Sequence, residues 1–267
     1  MLSRFRQSFS QLVGASFLAL LCVLAIGVLQ IPQLNKLSSK AKIASAEELE
    51  KEVEAENIRL NLLQKFPDFG FDNLLADWVF LGFAQYFGDD EVRKVTGYTL
   101  SPEYFEIIVN RDPRFREAYL FLSASSSLYA ALPERSVALM EKGLKSLTPQ
   151  VPPKSYFIWR YKGMDELLFL GNAQAARQSF EKAVEWAKVY SDPESKSVAE
   201  ISRQTSEFLV RNPNSRKAQV SGWILVLTNP VIDDRTRKIA ISRIEALGGK
   251  VIITPEGGVQ VQLPEQD

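Results

Sequence analysis

The sequence predicts an all-α fold: an N-terminal transmembrane helix, a stack of αα-hairpins and a small C-terminal β-hairpin. Residues Leu12 to Ile31 are apolar almost throughout, and about 20 such residues span a bilayer as a helix. The stretch from Trp159 to Ala187 has helical spacing of apolar residues on both sides of a tight turn at Gly171. The terminal stretch 251–263, VIITPEGGVQVQL, alternates apolar and polar residues around a turn, which is typical of a β-hairpin.

The composition excludes several classes of function. Lys plus Arg and Asp plus Glu both total 32, so the chain has no excess of positive charge that would favour nucleic acid as a partner. Histidine, the commonest metal ligand and proton shuttle at neutral pH, is absent. The single cysteine, Cys22, cannot form an internal disulfide.

The apolar run Leu12–Ile31 is expected to be an uncleaved membrane anchor. A cleaved secretory signal is the alternative, but the possible Ala-x-Ala site at 44–46 lies too far downstream and the apolar run is too long. A lipoprotein signal at Cys22 is disfavoured because the bulky Leu21 stands where a small residue is needed. The short basic N-terminal tail favours a single-pass protein whose soluble domain lies on the non-cytoplasmic side.

An acidic amphipathic helix is predicted after a polar neck. Ser45 and Glu48 form a capping box at its start, and the helix is expected over Ala46 to Gln64. We expect its apolar stripe to dock on the first hairpin of the stack. Two alternatives are a coiled-coil seam and a helix that folds back and lays Leu60 and Leu63 into the binding groove described below.

Three αα-hairpins are predicted to follow. The first contains Trp78 to Gln85 and Pro102 to Ile108, with about seven extra residues between its helices. The second begins at Ala118, and the third is the Trp159–Ala187 stretch. Phe105, Met140 and Phe180 hold corresponding positions and recur at roughly 35 to 40 residues, close to the period of a helical repeat.

The order of Gly163, Gly171, Ala176, Phe180 and Ala183 resembles the tetratricopeptide repeat (TPR), and the resemblance extends over about residues 72 to 187. The stretch LLADWVFLGFAQYFGD also resembles uncharacterised membrane-anchored TPR proteins of cyanobacteria. The resemblance implies that the first helix of each hairpin lines a concave groove. The groove would bind a protein partner through a helix or an apolar segment of that partner. An alternative assigns some of these side chains to the core between repeats. The implied groove residues are Val79, Phe83, Tyr86, Leu120, Ala124, Ser127, Arg160, Met164 and Leu167.

The remaining chain is predicted as a helical extension that ends in the β-hairpin. Asp192 and Asp233 are expected to begin two of its helices, and Gly248-Gly249 to end the last. Two strands alone are marginal, so the hairpin is expected to need a helix or a partner strand to pack on. The predicted regions are a tail and anchor at 1–32, a neck and acidic helix at 33–71, TPR-like repeats at 72–190 and the extension at 191–267.

No stretch carries a catalytic, cofactor-binding or metal-binding motif, so we expect a protein that is not an enzyme and has no small-molecule substrate. The leading hypothesis is a membrane-anchored scaffold or assembly factor that binds a protein partner through a helical-repeat groove. The alternative is a structural subunit of a membrane complex whose C-terminal hairpin adds strands to a neighbour. A hydrolase that acts through carboxylates alone is a remote alternative.

Overall fold

The computed structural model describes residues 19–31, 45–67, 69–212, 216–253 and 259–265. The chain divides into two units, Met1–Glu48 and Leu49–Asp267. In the first unit, residues 19–31 form helix α1, and its side chains are mostly exposed. Within the described ranges, no helix is both long enough and apolar enough to cross a membrane. Residues 12–18 of the predicted anchor, and the neck at 32–44, lie outside those ranges.

The second unit is mainly helical with one small sheet, as the sequence predicts. The helices after α1 are α2 Ala46–Lys65, α3 Asp72–Gly88, α4 Asp90–Thr96, α5 Ser101–Arg111, α6 Ala118–Ser123, α7 Pro133–Leu144, α8 Tyr156–Leu168, α9 Ala173–Ala187, α10 Pro193–Arg211, α11 Arg216–Leu227 and α12 Asp234–Ala246. The strands are β1 Lys250–Ile253 and β2 Val259–Gln262. Helix α6 continues directly into a π-helical segment, Ala124–Tyr129.

Helix starts follow the capping residues that the sequence indicates. The backbone N–H of Ser45 donates to the Glu48 carboxylate at 2.8 Å, and the N–H of Glu48 donates back to the Ser45 hydroxyl at 3.3 Å, so the capping box is confirmed. Asp192 accepts from the N–H of Ser195 at the start of α10. Asp233 caps α12 through the N–H of Thr236 in the same way.

The main core lies among α2, α3, α5, α7 and α8. Leu60 of α2 is buried in it, as the docking prediction requires. Phe83 of α3 and Phe105 of α5 meet edge to face with ring centroids 4.6 Å apart. Phe180 of α9 is buried against Gly163 of α8, where the missing side chain leaves room for the ring. The predicted tight packing of the third hairpin is therefore confirmed.

The C-terminal extension packs onto the hairpins in two ways. Helix α10 lies along α9, whereas α11 and α12 pair with each other and α11 contacts α8 and the π-helical segment. Trp223 and Phe169 meet in this second core with ring centroids 5.6 Å apart. Strands β1 and β2 pair antiparallel, with Val251 opposite Val261, and β1 packs on α12. The predicted β-hairpin is confirmed, and α12 is the helix that supports it.

Candidate functional site

The predicted concave groove is interrupted in the structure. Its members fall into three groups according to how much of each side chain remains exposed. Leu120 and Met164 are exposed, Ala124, Arg160 and Leu167 are half-buried, and Val79, Phe83, Tyr86 and Ser127 are buried. Val79, Phe83 and Ser127 are at most 2% exposed and Tyr86 is 9% exposed. These four do not form the open concave groove that the sequence predicts, so the prediction is wrong at these positions.

Tyr86 and Ser127 are buried because each hydroxyl has partners inside the protein. The Tyr86 hydroxyl donates to the carbonyl of Gly97 and accepts from the N–H of Leu100, both at 3.2 Å. The Ser127 hydroxyl donates to the Asp165 carboxylate at 2.6 Å. Buried polar groups of this kind are stable because their hydrogen bonds replace those to water.

Helix α10 covers part of the predicted groove at the third hairpin. Arg160 donates to the Ser202 hydroxyl of α10 at 3.0 Å. Leu167 packs against the small core cluster that contains Phe180 and Leu209. The predicted groove residues of α8 therefore contribute to the attachment of α10, and Met164 is left as the exposed member of that set.

Helix α3 presents a different surface that the groove prediction leaves out. Its sequence, DNLLADWVFLGFAQYFG, is apolar around the whole helix. Val79 and Phe83 lie on the side that packs into the core, whereas Leu74, Trp78 and Leu81 lie on the other side and are 63%, 54% and 61% exposed. A helix that is apolar all round is normally buried on all sides. The exposed side of α3 is therefore unusual for a surface in contact with water.

Two adjoining clefts run along this side of α3, between it and α2, and both are lined by Trp78. We call them together the α2–α3 groove. The apolar end has a volume of about 710 Å³ and is lined by Leu63, Phe66, Pro67, Phe69, Phe71, Leu74, Leu75 and Trp78. The polar end has a volume of about 600 Å³ and is lined by Glu52, Val53, Glu56, Arg59, Trp78, Leu81, Gly82, Gln85, Tyr86, Asp89, Arg93 and Tyr104.

The apolar end is formed at the corner where α2 turns into α3. Phe66, Phe69 and Phe71 project there, and each is more than half exposed. Ile58 and Leu62 of α2 are exposed as well. Single exposed apolar residues are common, but a large contiguous group of this kind is typical of protein or membrane interaction sites and of ligand-binding grooves.

A network of three side chains orders the polar end. Arg59 donates to the Glu56 carboxylate at 2.8 Å and lies over the Trp78 ring, with 5.6 Å between the guanidinium carbon and the ring centroid. The Tyr104 hydroxyl donates to the same carboxylate. Burial alone would raise the pKa of Glu56, but the hydrogen bonds from Arg59 and Tyr104 outweigh it and leave that pKa below its usual value. Glu56 is therefore a carboxylate whose acceptor capacity is already largely used.

Arg93 closes the polar end. It is 6% exposed, and its guanidinium carbon lies 4.1 Å from the centroid of the Tyr86 ring. One of its nitrogens donates to the carbonyl of Gly97 at 3.4 Å. Its Nε is buried without a hydrogen-bond partner in the described part of the chain. Arg93 also forms no ion pair among the described residues, since no carboxylate oxygen there lies within 4.0 Å of its guanidinium nitrogens.

A second polar cluster lies inside the protein, away from the groove. Asp165 of α8 accepts hydrogen bonds from Ser123, Ser127 and Ser136, and burial raises its pKa to about 6 although the three hydroxyls oppose the rise. The neighbouring Glu166 pairs with Lys162 and accepts from Ser179. Both acids are almost completely buried. They join helices together and line none of the clefts described above.

No family model, curated protein or solved structure matches the chain. The geometry of the α2–α3 groove therefore carries the functional argument. The groove offers exposed leucines and aromatic rings at one end and a fixed guanidinium at the other. Such a surface suits the binding of an apolar or amphipathic segment.

Proposed function

We propose that the chain is a membrane-anchored helical-repeat protein that binds a protein partner, as a scaffold or assembly factor, and that it does so through the α2–α3 groove. The anchor is the apolar run Leu12–Ile31. The resemblance of residues 72–187 to tetratricopeptide repeats supports a binding rather than a catalytic role, because such repeats present extended surfaces to partners.

The exposed side of α3 is the observation that carries this proposal. Leu74, Trp78 and Leu81 are spaced at i, i+4 and i+7, so they form one stripe along the helix. Phe66, Phe69 and Phe71 extend this stripe at the corner with α2. Burying an apolar side chain of this size contributes about 1.5 to 3 kcal/mol. Covering the stripe would therefore yield a substantial part of a binding free energy.

The partner that fits best is an amphipathic helix. The stripe is narrow and straight and lies beside a second helix, so another helix can lie along it with its own apolar residues between those of α3. Leu74 and Gln85 are eleven residues apart, or about 16 Å along the helix axis. The groove is thus long enough for about three turns of a partner helix.

Site-specific photocrosslinking in native membranes tests this function. A photoreactive amino acid replaces Trp78 in the full chain, and in a control chain it replaces Glu185, which is exposed on α9. We expect a discrete protein adduct at position 78 that is absent at position 185. Leu74→Glu should abolish the adduct, because an unpaired carboxylate would be desolvated in the interface. It should leave the fold intact because Leu74 is largely in water.

The other outcomes contradict the proposal in distinct ways. Adducts at position 78 that contain only lipid would show that the groove rests on the bilayer rather than on a protein. Identical adducts at positions 78 and 185 would show that the groove has no special partner. An adduct that includes every copy of the chain at fixed stoichiometry would identify a structural subunit of a complex instead of a scaffold.

A further inference from the structure

The buried guanidinium of Arg93 is a feature of the groove that apolar binding does not explain, and the inference drawn from it rests on the proposed function. The side chain lies at the polar end of the groove, and the ring of Tyr86 fixes its guanidinium at 4.1 Å. Gly97, whose carbonyl accepts from Arg93, has no room for a side chain. A side chain on Gly97 would collide with the Asp233 carboxylate, 2.8 Å from the expected Cβ position, and its φ of +71° is one that L-residues rarely adopt.

The acidic side chains around Arg93 accept hydrogen bonds from other groups. Glu56 attracts Arg93 at longer range but is held by Arg59 and Tyr104. The Asp89 carboxylate accepts from the N–H of Val92 at the start of α4. Asp233 accepts from the N–H of Thr236 at the start of α12. None of these acids approaches the Arg93 guanidinium within ion-pair distance in the described part of the chain.

A buried guanidinium without a carboxylate is costly to keep. The stacking on Tyr86 and the hydrogen bond to Gly97 use only part of its hydrogen-bonding capacity, since arginine carries five N–H donors. Arg93 lines the cleft, so an incoming carboxylate could pair with its guanidinium there, and charge-assisted hydrogen bonds of this type are roughly twice as strong as neutral ones.

We propose that the partner helix carries an acidic residue that pairs with Arg93 while its apolar residues occupy the other end of the groove. Gln85, the neighbour of the Tyr86 ring over which Arg93 lies, is eleven residues from Leu74. The acid would therefore lie about eleven residues, or about 16 Å, from the apolar residue that packs on Leu74. Arg93 thus selects partners by charge and fixes the direction in which the helix lies. The exposed acids Glu52 and Asp89 line the same end but remain in water, where the high dielectric constant reduces their repulsion of the incoming acid.

Three labelled amphipathic peptides of the same length test the proposal. Each carries leucines on one face, and about eleven residues from the first leucine it carries Glu, Gln or Lys. Binding to the full chain in neutral-lipid nanodiscs is measured by fluorescence polarisation, with empty nanodiscs as the background. We expect the Glu peptide to bind about tenfold more tightly than the Gln peptide, and the Lys peptide to bind most weakly.

Two arginine variants test whether Arg93 causes the preference for the Glu peptide over the Gln peptide. Arg93→Gln should remove the difference between the Glu and Gln peptides, while Arg114→Gln, which changes an exposed arginine, should leave it unchanged. Because Arg93 is buried, circular dichroism must show that its variant folds. If the Arg93→Gln variant does not fold, the order of the affinities of the three peptides for the unaltered chain decides whether the inference holds.

The remaining outcomes overturn either this inference alone or this inference together with the proposed function. If all three peptides bind equally and Leu74→Glu abolishes their binding, the inference that the partner carries an acidic residue would be overturned. The proposal that the apolar groove binds a helix would stand. Preference for the Lys peptide would show that Glu52 and Asp89 control the polar end, and would also overturn the inference. Binding of no peptide above the empty nanodiscs would overturn both proposals.

Discussion

The carboxylate of Asp165 on α8 accepts a hydrogen bond of 2.6 Å from the hydroxyl of Ser127 in the π-helical segment. Ser123 and Ser136 donate to the same carboxylate, each at 2.8 Å. One buried acid therefore joins the second and third hairpins. π-Helical turns are rare and often mark places where a side chain must be repositioned. Here the segment places Ser127, together with Ser123 one turn earlier, against Asp165.

The first prediction concerns the pH dependence that Asp165 confers. Its folded pKa of about 6 lies above the ordinary value of 3.8 because burial disfavours the charged form. A raised pKa contributes stability that is fully present below pH 3.8 and is lost as the pH rises through about 6. Between pH 7.5 and pH 4, the free energy of unfolding of the parent should therefore gain up to about 3 kcal/mol relative to Asp165→Asn.

Denaturant titrations of the full chain in nonionic detergent across this pH range measure the difference. Glu200→Gln is the control, because hydrogen bonds from Arg203 lower the pKa of Glu200 to about 2 and acid therefore acts on it in the opposite direction. A difference between the parent and Asp165→Asn that stays constant with pH would contradict the prediction.

Much of the fold is visible in the sequence because its signals are local. Ser45 with Glu48 caps a helix start, as Asp192 does, and each satisfies N–H groups three residues away. The small Ala183 beside Phe180 predicts close packing of neighbouring helices, and both residues are buried. Short-range patterns of this kind identify helix bounds and which helix faces are apolar.

The candidate site could not be predicted in the same way. Helix α3 is apolar on both sides, so its periodicity does not show whether Val79 or Trp78 faces the core. Ser127 is one of the predicted groove residues, but its hydroxyl is hydrogen-bonded to Asp165, which lies 38 residues further along the chain. Arg93 belongs to a seven-residue helix in an insertion that the repeat pattern does not cover. Each of these features depends on contacts between distant parts of the chain.

The second prediction tests the ion pair beside Asp165. Lys162 and Glu166 are both buried, and Ser179 hydrogen-bonds to both. Lys162→Met should lower the free energy of unfolding by about 3 to 5 kcal/mol, because it leaves the Glu166 carboxylate buried and unpaired. The double variant Lys162→Met, Glu166→Leu should recover most of this loss, since no charge then remains to be desolvated. Chemical denaturation of both variants checks the pair, and a double variant no more stable than the single one would refute it.

The third prediction concerns the attachment of α2 to the first hairpin. Leu60 is 1% exposed, whereas Leu62, two residues further on, is 65% exposed. Leu60→Ala should therefore destabilise the protein by about 2 to 5 kcal/mol by leaving a cavity in the core. Leu62→Ala should change the stability by no more than about 0.5 kcal/mol. Thermal melts of the matched pair measure this contrast, and equal melting temperatures would mean that α2 does not pack as described.

The last prediction concerns Gly143, where α7 passes the ring of Tyr119. A Cβ atom at this glycine would lie 1.9 Å from the Tyr119 hydroxyl oxygen and 2.7 Å from the ring carbon that carries it. The hydroxyl is held in place because it donates to the carbonyl of Pro113 at 2.8 Å. Gly143→Ala should thus lower the free energy of unfolding by about 1 to 3 kcal/mol through overpacking. At Gly88, the added carbon would meet no described atom within 4 Å apart from its chain neighbours and the backbone of its own helix. Gly88→Ala should therefore be neutral or stabilising by up to about 1 kcal/mol.

A double-mutant cycle with Tyr119→Phe shows whether the steric contact is the cause. That substitution alone should cost about 1 kcal/mol, because it leaves the Pro113 carbonyl without its donor. In the double variant the hydroxyl oxygen is gone, but the ring carbon that carried it remains. The double variant should therefore lose less stability than the sum of the losses in the two single variants. Strict additivity in urea titrations, or a Gly143→Ala variant as stable as the parent, would show that α7 and Tyr119 are not packed this closely.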